Sequence, residues 1–375
     1  GATNTTYDAA SGQYITSPYR PKDNRNQYGF GVGGPLIKDR LFWFYSFDAF
    51  RRNFPGTAKA NNPGAFFVSP DADLPGGQSC NTTTGAYTGA TAGSANPAAC
   101  LLAARLGMSY AGASSAYNNQ LQALLTNLGP VPRFGNQLIN TPKLDWQINQ
   151  KHHLSVLYHR LRWDSPGGVQ TQGTNNYAID TFGTDFVKLD YTLVKLDSLI
   201  RSNINNEVRY QYGRELNNEG NQPSSAYTKA NLINSTGFAP EVALNTSVGF
   251  FMGQPYYGFR YAYPDERKWQ VGDTASILVG RHNIRFGEDI VHNHDLQNNV
   301  YEGNGYINYS SAAGSSSVNY FSDLLSGGKT CDATGGGVGN FPCYSFYANG
   351  FGPAVFQLST TDYGFFVQDD WKLTP

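Results

Sequence analysis

The chain has 375 residues, of which 27 are basic, 28 are acidic and 14% are aromatic, and its net charge is −1. Balanced charge without a basic run argues against a nucleic-acid partner. No stretch approaches the roughly 18 consecutive apolar residues that a membrane-spanning helix needs, although a spanning β-strand needs only about 9–11 alternating ones.

A glycine-rich segment near the start, Gly29 to Gly34 (GFGVGG), fits the spacing G-x-G-x-x-G, and Asp48 follows at the position of a ribose-binding acid. A phosphate-binding loop of this kind has to follow an apolar strand and open a helix. Here the preceding residues are polar, and the following run, LFWFY from Leu41, is aromatic and β-prone. We therefore interpret the glycines as part of a strand, where they permit tight curvature or close approach of another backbone.

Period-2 alternation predicts nine strands, and a possible tenth lies near Tyr306–Ser310. The helical spacing of two segments, 100–110 and 118–129, predicts short helices in a long insert. The predicted strands are 28–36, 41–52, 138–150, 153–163, 185–197, 203–215, 266–279, 284–294 and 360–373.

The links between these strands alternate strictly between short and long. Short links are predicted at 37–40, 149–152, 198–202 and 280–283, and long ones at 53–135, 165–185, 217–265 and 297–358. Antiparallel order places all short links at one edge of the sheet and all long links at the other. This asymmetry is typical of outer-membrane barrels, which have short periplasmic turns and long outside loops.

Apolar and charged residues also separate onto two faces of the predicted strands. We assign Lys188 and Asp190 to one charged, lumen-facing side together with Glu207 and Arg209. Each strand is expected to be about 10 residues long. Tryptophans near strand ends would form interfacial girdles; they are Trp43, Trp146, Trp163, Trp269 and Trp371.

The predicted fold class is therefore all-β, namely an antiparallel transmembrane β-barrel with long extracellular loops that carry short helices. The chain holds a partial barrel of about nine or ten strands. It opens on GATNTTYDAASG and ends on DDWKLTP, so we expect a fragment of a longer protein. A soluble β-domain whose aromatic residues pack in a core is the alternative.

The four cysteines form two local pairs, Cys80 with Cys100 and Cys331 with Cys343, in Gly- and Thr-rich segments. Neither spacing fits a zinc site. We predict two disulfides within loops, which implies an oxidising compartment.

Three segments resemble the Oar-like TonB-dependent receptors of bacterial outer membranes. They are Asn26–Phe44, which contains GGPLIKDRLFWF; Gly280–Asp289, GRHNIRFGED; and Tyr363–Pro375, YGFFVQDDWKLTP. The segments are widely spaced and in the family's order, so the resemblance spans nearly the whole chain.

The resemblance implies a 22-stranded barrel that is filled by an N-terminal plug and coupled to a TonB-type protein of the inner membrane. Residues 1–375 would then be the N-terminal part of the barrel wall, since neither plug nor TonB box is recognisable. The implied function is energy-coupled uptake of a bulky solute such as a siderophore, an oligosaccharide or a peptide. A passive porin or structural barrel, and a secreted carbohydrate-binding β-protein, remain open as alternatives.

An aromatic stretch in the third long link is the candidate for solute contact. Its residues suit stacking on sugars or gripping a siderophore or peptide, although packing within the loop is the favoured interpretation. The candidate residues are Tyr256, Tyr257, Phe259, Arg260, Tyr261 and Tyr263.

We expect no catalytic residue, no cofactor and no resident metal. No nucleophile or zinc-protease signature occurs in the sequence. His292 and His294 share a face of a strand and could bind a metal, but the pattern does not place a third ligand, so a hydrated polar rim is favoured.

Overall fold

The structure, a computed structural model, describes residues 2–89, 97–168, 174–235, 237–254, 265–298, 300–309 and 316–373. Nine long strands form one antiparallel sheet in which each strand pairs with its neighbours in sequence. The strands are β1 Asn24–Ile37, β2 Leu41–Asn53, β3 Phe134–Asn149, β4 His152–Ser165, β5 Thr184–Arg201, β6 Ile204–Gly220, β7 Asp265–Val279, β8 His282–Asn298 and β9 Val355–Trp371.

Short turns and long connections alternate along this meander. The turns are 38–40, 150–151, 202–203 and 280–281, and the long connections are 54–133, 166–183, 221–264 and 299–354. All long connections therefore leave the same edge of the sheet, as the sequence predicts for an outer-membrane barrel.

The strands are longer than expected. They run from 13 residues in β2 to 18 in β5, where about 10 were predicted. In β3, β6, β8 and β9 the extra residues lie mainly at the end that joins a long connection. β5 instead gains four residues at its turn end, where it continues to Arg201 beyond the predicted end at residue 197. The possible tenth strand, Tyr306–Asn308, pairs instead with Glu241–Leu244 and Phe346–Ala348, outside the long sheet.

The register of the ladder defines two faces. The apolar face carries Leu144, Trp146 and Ile148 of β3, and the charged face carries the alternate residues Lys143 and Asp145. Cross-strand pairs such as Leu144 with Val156 extend this separation from strand to strand. Next to the turns the apolar face is almost continuously aliphatic and aromatic, with polar exceptions at Asn206, Asp273 and Glu288.

Two assignments from the sequence are wrong. Lys188 and Asp190 pair with Arg162 and Arg160 on the apolar side of the ladder, whereas Glu207 lies on the charged face opposite Asp197. β5 is so long that its outer half extends beyond the apolar band, and there the two faces no longer differ in the predicted way.

The second error concerns one of the five tryptophans. Trp163 faces the charged side, where its ring stacks on Phe50 at 6.1 Å between centroids. It fills the space left by Gly135, where a Cβ atom would lie 2.7 Å from the indole ring. Trp163 therefore does not contribute to an interfacial girdle.

The glycine-rich segment lies within β1, as interpreted from the sequence. A Cβ atom at Gly29 would lie 2.5 Å from the Phe47 carbonyl oxygen, and one at Gly33 would lie 2.7 Å from the Trp43 carbonyl oxygen. The glycines permit close approach of β2 to β1, and no helix follows them. The segment is not a nucleotide-binding loop.

The long connections fold into a compact cap at one end of the sheet. Its helices are α1 Pro63–Phe66, α2 Ala98–Leu106, α3 Tyr110–Leu125, α4 Ala226–Asn231 and α5 Ser316–Ser326. Its short strands are Thr3–Asp8, Gln13–Pro18, Gly56–Ala58, Ser79–Cys80, Tyr87–Thr88, Gly129–Val131, Thr174–Asn175, Glu241–Leu244, Phe250–Met252, Tyr306–Asn308 and Phe346–Ala348.

The cap has a hydrophobic core to which all four long connections contribute. Leu121 of α3, Ala178, Phe250 and Phe321 of α5 are each fully buried in it. No connection has enough apolar surface to form such a core alone, so the connections stabilise one another. In the described part of the chain, no helix has the length and apolar character required to cross a membrane.

The glycine packing in β1 gives a direct test. A Gly33→Val substitution should lower the free energy of unfolding by about 1–3 kcal/mol, because its side chain has to displace the β2 backbone. Gly34→Val is the matched control, since nothing lies within 4 Å of a Cβ atom there. Urea unfolding in detergent, followed by tryptophan fluorescence, measures the difference, and equal midpoints for the two variants would contradict the packing.

Candidate functional site

A row of ion pairs crosses the charged face of the sheet. Lys143 Nζ lies 2.8 Å from Asp145 Oδ2 on β3, and the Asp145 carboxylate lies 3.8 Å from His153 Nε2 on β4. His153 Nδ1 is 3.6 Å from Asp197 Oδ2 on β5, and Lys195 Nζ is 3.3 Å from Asp197 Oδ1. Each of these residues occupies alternate positions of its strand, so the alternation of the sequence places them on one face.

The row continues across β6 to β8. Lys195 Nζ lies 2.7 Å from Glu207 Oε2, and Glu207 in turn lies 3.5 Å from Arg209 Nε. Arg209 reaches Asp289 of β8 at 3.8 Å, and Gln270 donates hydrogen bonds of 2.8 and 2.9 Å to the same carboxylate. We call the set from Lys143 to Asp289 the ion-pair row.

The ion-pair row makes this face of the sheet polar and contributes little to the stability of the fold. Its side chains are between 27% and 49% exposed, so water screens each pair. Pairs this exposed contribute about 0–1 kcal/mol each. Alternating cations and anions instead give the charged face a wettable surface without a strong net field.

A cleft of about 560 Å³ lies on the same face, on the cap side of the ion-pair row. Tyr191 forms one wall, its ring stacked on His159 at 4.8 Å, and Gly213 opposite leaves room for it. Gln211, Glu215 and Lys268 supply polar groups. An aromatic wall with convergent polar groups is suited to a polar organic solute.

Two disulfides stabilise the cap, one between Cys80 and Cys100 and one between Cys331 and Cys343. Asp323 of α5 holds the second disulfide loop, because its carboxylate accepts hydrogen bonds from the Cys343 backbone N–H, at 3.0 and 2.9 Å, and from the Tyr309 hydroxyl. The loops are therefore fixed covalently and by hydrogen bonds.

Arg105 of α2 is a second anchor of this loop. It is buried, and it donates to the carbonyl oxygens of Gly335 and Gly337 and to the Asn319 side chain. These bonds connect the first long connection to the fourth.

Glu241 is a buried carboxyl group of the cap, and among the described residues no cation forms an ion pair with it. Glu241 is 9% exposed in the four-stranded sheet of the cap. Burial, with the nearby Glu302 carboxylate as a second cause, raises the pKa of Glu241 to about 8. Within the described part of the chain, Tyr177 and Tyr306 also lie close to Glu241, and burial raises the pKa of both hydroxyl groups, so both are uncharged at neutral pH.

The candidate solute-contact residues Tyr256, Tyr257, Phe259, Arg260, Tyr261 and Tyr263 lie outside the residues that the structure describes. The structure describes the first residues of the same aromatic stretch, from Phe250 to Gln254. Phe250 is fully buried against Phe66, and Phe251 stacks on Tyr177 at 5.3 Å. These first two aromatic residues therefore serve packing within the cap.

His292 and His294 lie on one face of β8, as the sequence predicts. Their Nδ1 atoms contact hydroxyl groups of β9, at 2.8 Å from Thr361 and 2.9 Å from Ser359. Within the described ranges, no group of three or more His, Cys, Asp or Glu side chains is arranged to hold a metal ion.

Sequence reasoning missed the hairpin formed by Thr3–Asp8 and Gln13–Pro18. This hairpin packs on the cap, where the Tyr14 ring lies 5.2 Å from that of Phe67. A signal was present, because two runs rich in Thr and Tyr flank Ser11-Gly12, a composition typical of a hairpin.

A family model agrees with this architecture. Residues 3–375 match the family model of the outer membrane beta barrel domain. The outer membrane transporter YddB from Escherichia coli, a solved structure, is similar with 9% identity and a TM-score of 0.42, over 93% of this chain and 32% of that one. The chain thus spans 32% of the length of that transporter. No curated protein matches it in sequence.

Because the family match covers nearly the whole chain, the protein belongs to the outer membrane beta barrel domain family. It is located in the outer membrane, and the apolar face of the sheet contacts lipid. The charged face, with the ion-pair row and the cleft, lines the lumen. A secreted soluble protein does not fit this location.

The buried carboxyl group gives a pH dependence with a defined sign. Glu241 has a pKa of 4.5 when unperturbed and about 8 in the folded cap, so the folded state holds its proton more tightly. The contribution of Glu241 to the stability of the cap is then fully present below pH 4.5, and it is lost as the pH rises from about 4.5 to 8. Glu241→Gln should remove most of this loss, because an amide does not ionise.

Pulse proteolysis of the cap in urea, from pH 5 to pH 9, measures this effect. The wild-type midpoint should decrease with pH, and the midpoint of the Glu241→Gln variant should change much less. The same slope in both proteins would show that Glu241 does not titrate as its burial implies.

Proposed function

We propose that this chain is part of the barrel wall of a TonB-dependent receptor that takes up a bulky, polar solute. The observation that carries the proposal is the ion-pair row, which lines six adjacent strands on the face opposite to lipid. A wettable wall of this width belongs to a transport path rather than to a packed protein core.

The edges of the sheet support a barrel larger than nine strands. Among the described residues, β1 pairs only with β2, and β9 pairs only with β8. A bare strand edge cannot face acyl chains, because its N–H and C=O groups would lack partners. We therefore infer that further strands close the barrel, and such a barrel is wide enough for a polar path.

The cap supports a receptor rather than a simple pore. Packed loops fixed by two disulfides give a preorganised outer surface, which suits recognition of one class of solute. Siderophores, oligosaccharides and peptides match the aromatic and polar lining of the cleft. The candidate residues from Tyr256 to Tyr263 remain a prediction for contact with the solute.

The proposed mechanism breaks no covalent bond, so the protein is proposed not to be an enzyme. Solute binds at the cap and the lumen, and a TonB-type partner in the inner membrane supplies the force that opens the path. No cofactor, resident metal or nucleic acid takes part in this scheme.

Dependence on energy tests the proposal against a passive porin. Cells that produce the intact protein should take up labelled members of these three solute classes in an energy-dependent way. A protonophore, or deletion of the TonB-type protein, should reduce the uptake of the transported class to background. Uptake that persists after both treatments, with a constant conductance in planar bilayers, would establish a passive pore instead.

Two neighbouring residues on opposite faces test the path itself. Gln211 lines the cleft, whereas Tyr210 lies on the apolar face. Gln211→Trp should slow uptake severalfold, because the larger side chain narrows the cleft, and Tyr210→Trp should leave it unchanged. Initial uptake rates at equal surface abundance provide the measurement, and equal rates in both variants would place the path elsewhere.

A further inference from the structure

The outer parts of the middle strands extend beyond the lipid band. A band about 25 Å tall takes about ten residues of a tilted strand. β5 and β6 have 18 and 17 residues, so roughly the first seven residues of β5 and the last seven of β6, next to the long connections, lie outside the band. Side chains there that share the apolar face point outward at the level of the lipid headgroups.

Cations predominate on this outward surface. The ladder register places the residues in adjacent rows, for example Arg160 opposite Asp190, and Asp190 opposite Arg214. Across β2 to β7 three acidic residues, Asp164, Asp190 and Asp265, accompany a larger set of cations. We call these cations the exterior belt; they are Arg51, Arg160, Arg162, Lys188, Arg214 and Arg267.

The three carboxylates neutralise only part of the exterior belt. Arg162 Nη2 lies 2.8 Å from Asp190, and Arg214 and Arg267 share Asp265 at 2.7 and 2.5 Å. Among the residues that the structure describes, no carboxylate forms an ion pair with the remaining cations, which are Arg51, Arg160 and Lys188.

Like charges also lie directly opposite each other in the belt. Arg162 pairs in the ladder with Lys188, and Arg214 pairs with Arg267. Directly opposed like charges destabilise a sheet, and Asp265 already lies between Arg214 and Arg267. Asp190 pairs with Arg162 but not with Lys188, so the Arg162–Lys188 pair favours a bound anion beside Lys188.

A groove between β3 and β5 adds an apolar component. Its volume is about 400 Å³, and Leu138 and Phe186 line it together with the cations Arg162 and Lys188 and one acidic residue, Asp164. Lys188 Nζ lies 5.3 Å from the centre of the Phe186 ring. A small inorganic anion would use the cations but would leave these apolar walls exposed. An amphiphile would cover both, with its anionic group on the cations and its hydrocarbon against Leu138 and Phe186.

From this geometry we propose that the exterior belt binds a phosphorylated lipid of the outer leaflet. The phosphate groups lie on Lys188 and on the fork of Arg160, because arginine forks match phosphate oxygens in pairs. Arg162, whose Nη2 is held by the Asp190 carboxylate, lies beside them and adds positive charge. The acyl chains descend along Leu138 into the band. Basic residues near a membrane surface attract anionic lipid headgroups, so several of them together favour a phosphorylated lipid.

Native mass spectrometry on the detergent-purified protein tests this proposal. The probes are lipid A, which carries two phosphate groups, its chemically dephosphorylated form, and inorganic phosphate. Lipid A should bind, and it should bind more than tenfold more tightly than the dephosphorylated form. Inorganic phosphate at millimolar concentration should not displace it.

The variant Arg162→Gln/Lys188→Gln should lose at least tenfold in lipid A affinity. The matched control, Lys22→Gln/Lys229→Gln, removes the same charge from exposed positions outside the belt and should bind as the wild type does. Heat-modifiable electrophoretic mobility shows whether each variant is folded. If the double variant does not fold, Arg160→Gln supplies the test, since this side chain forms no ion pair with any described residue.

Three results would overturn the proposal. Equal affinity for lipid A in the belt variant and the control would show that the belt does not bind it. Equal binding of the dephosphorylated lipid would show that the apolar groove alone is responsible. Full displacement by inorganic phosphate would indicate a site for a free anion rather than for lipid.

Discussion

The structure depends on one constraint, the need to pair every backbone N–H and C=O group where no water can reach them. The meander satisfies it locally, because each long strand forms a ladder with the next one in sequence, and the register shifts in three of these ladders lie next to turns. Once the ladder is fixed, the period of two residues determines which side chains meet lipid and which meet water. The ion-pair row follows from that register: Lys195 and Glu207 approach to 2.7 Å because their strands pair in one alignment.

The length of the strands adds a second level of organisation. A band of about 25 Å cannot contain an 18-residue strand, so the middle of the sheet extends into the outer headgroup region. The same face is therefore apolar at Val194 and cationic at Lys188, a few residues apart on β5. The opposite face of β5 changes as well. Near the cap this lumen-facing side carries Leu189 and Tyr191, which line the cleft.

The long connections form an ordered cap because they share one hydrophobic core. Its core draws Leu121, Ala178, Phe250 and Phe321 from separate connections, so each loop provides burial for the others. Two disulfides and the hydrogen bonds of Arg105 then hold the cap in one arrangement. Such an ordered outer surface lowers the entropy cost of binding, which supports the proposal that the cap recognises a solute before it enters the lumen.

The sequence alone determined the meander, the asymmetry of its links, and the two faces where strands lie within the band. Leu144 and Lys143 could be assigned because alternation in a thin sheet is a local property. The sequence could not assign Lys188, Asp190 or Trp163 to the correct face. Their environment depends on how far each strand extends beyond the lipid and on which loops pack nearby. The cap core and the exterior belt were likewise decided by the tertiary structure, because they bring together residues from distant segments whose spacing in sequence carries no information about contact.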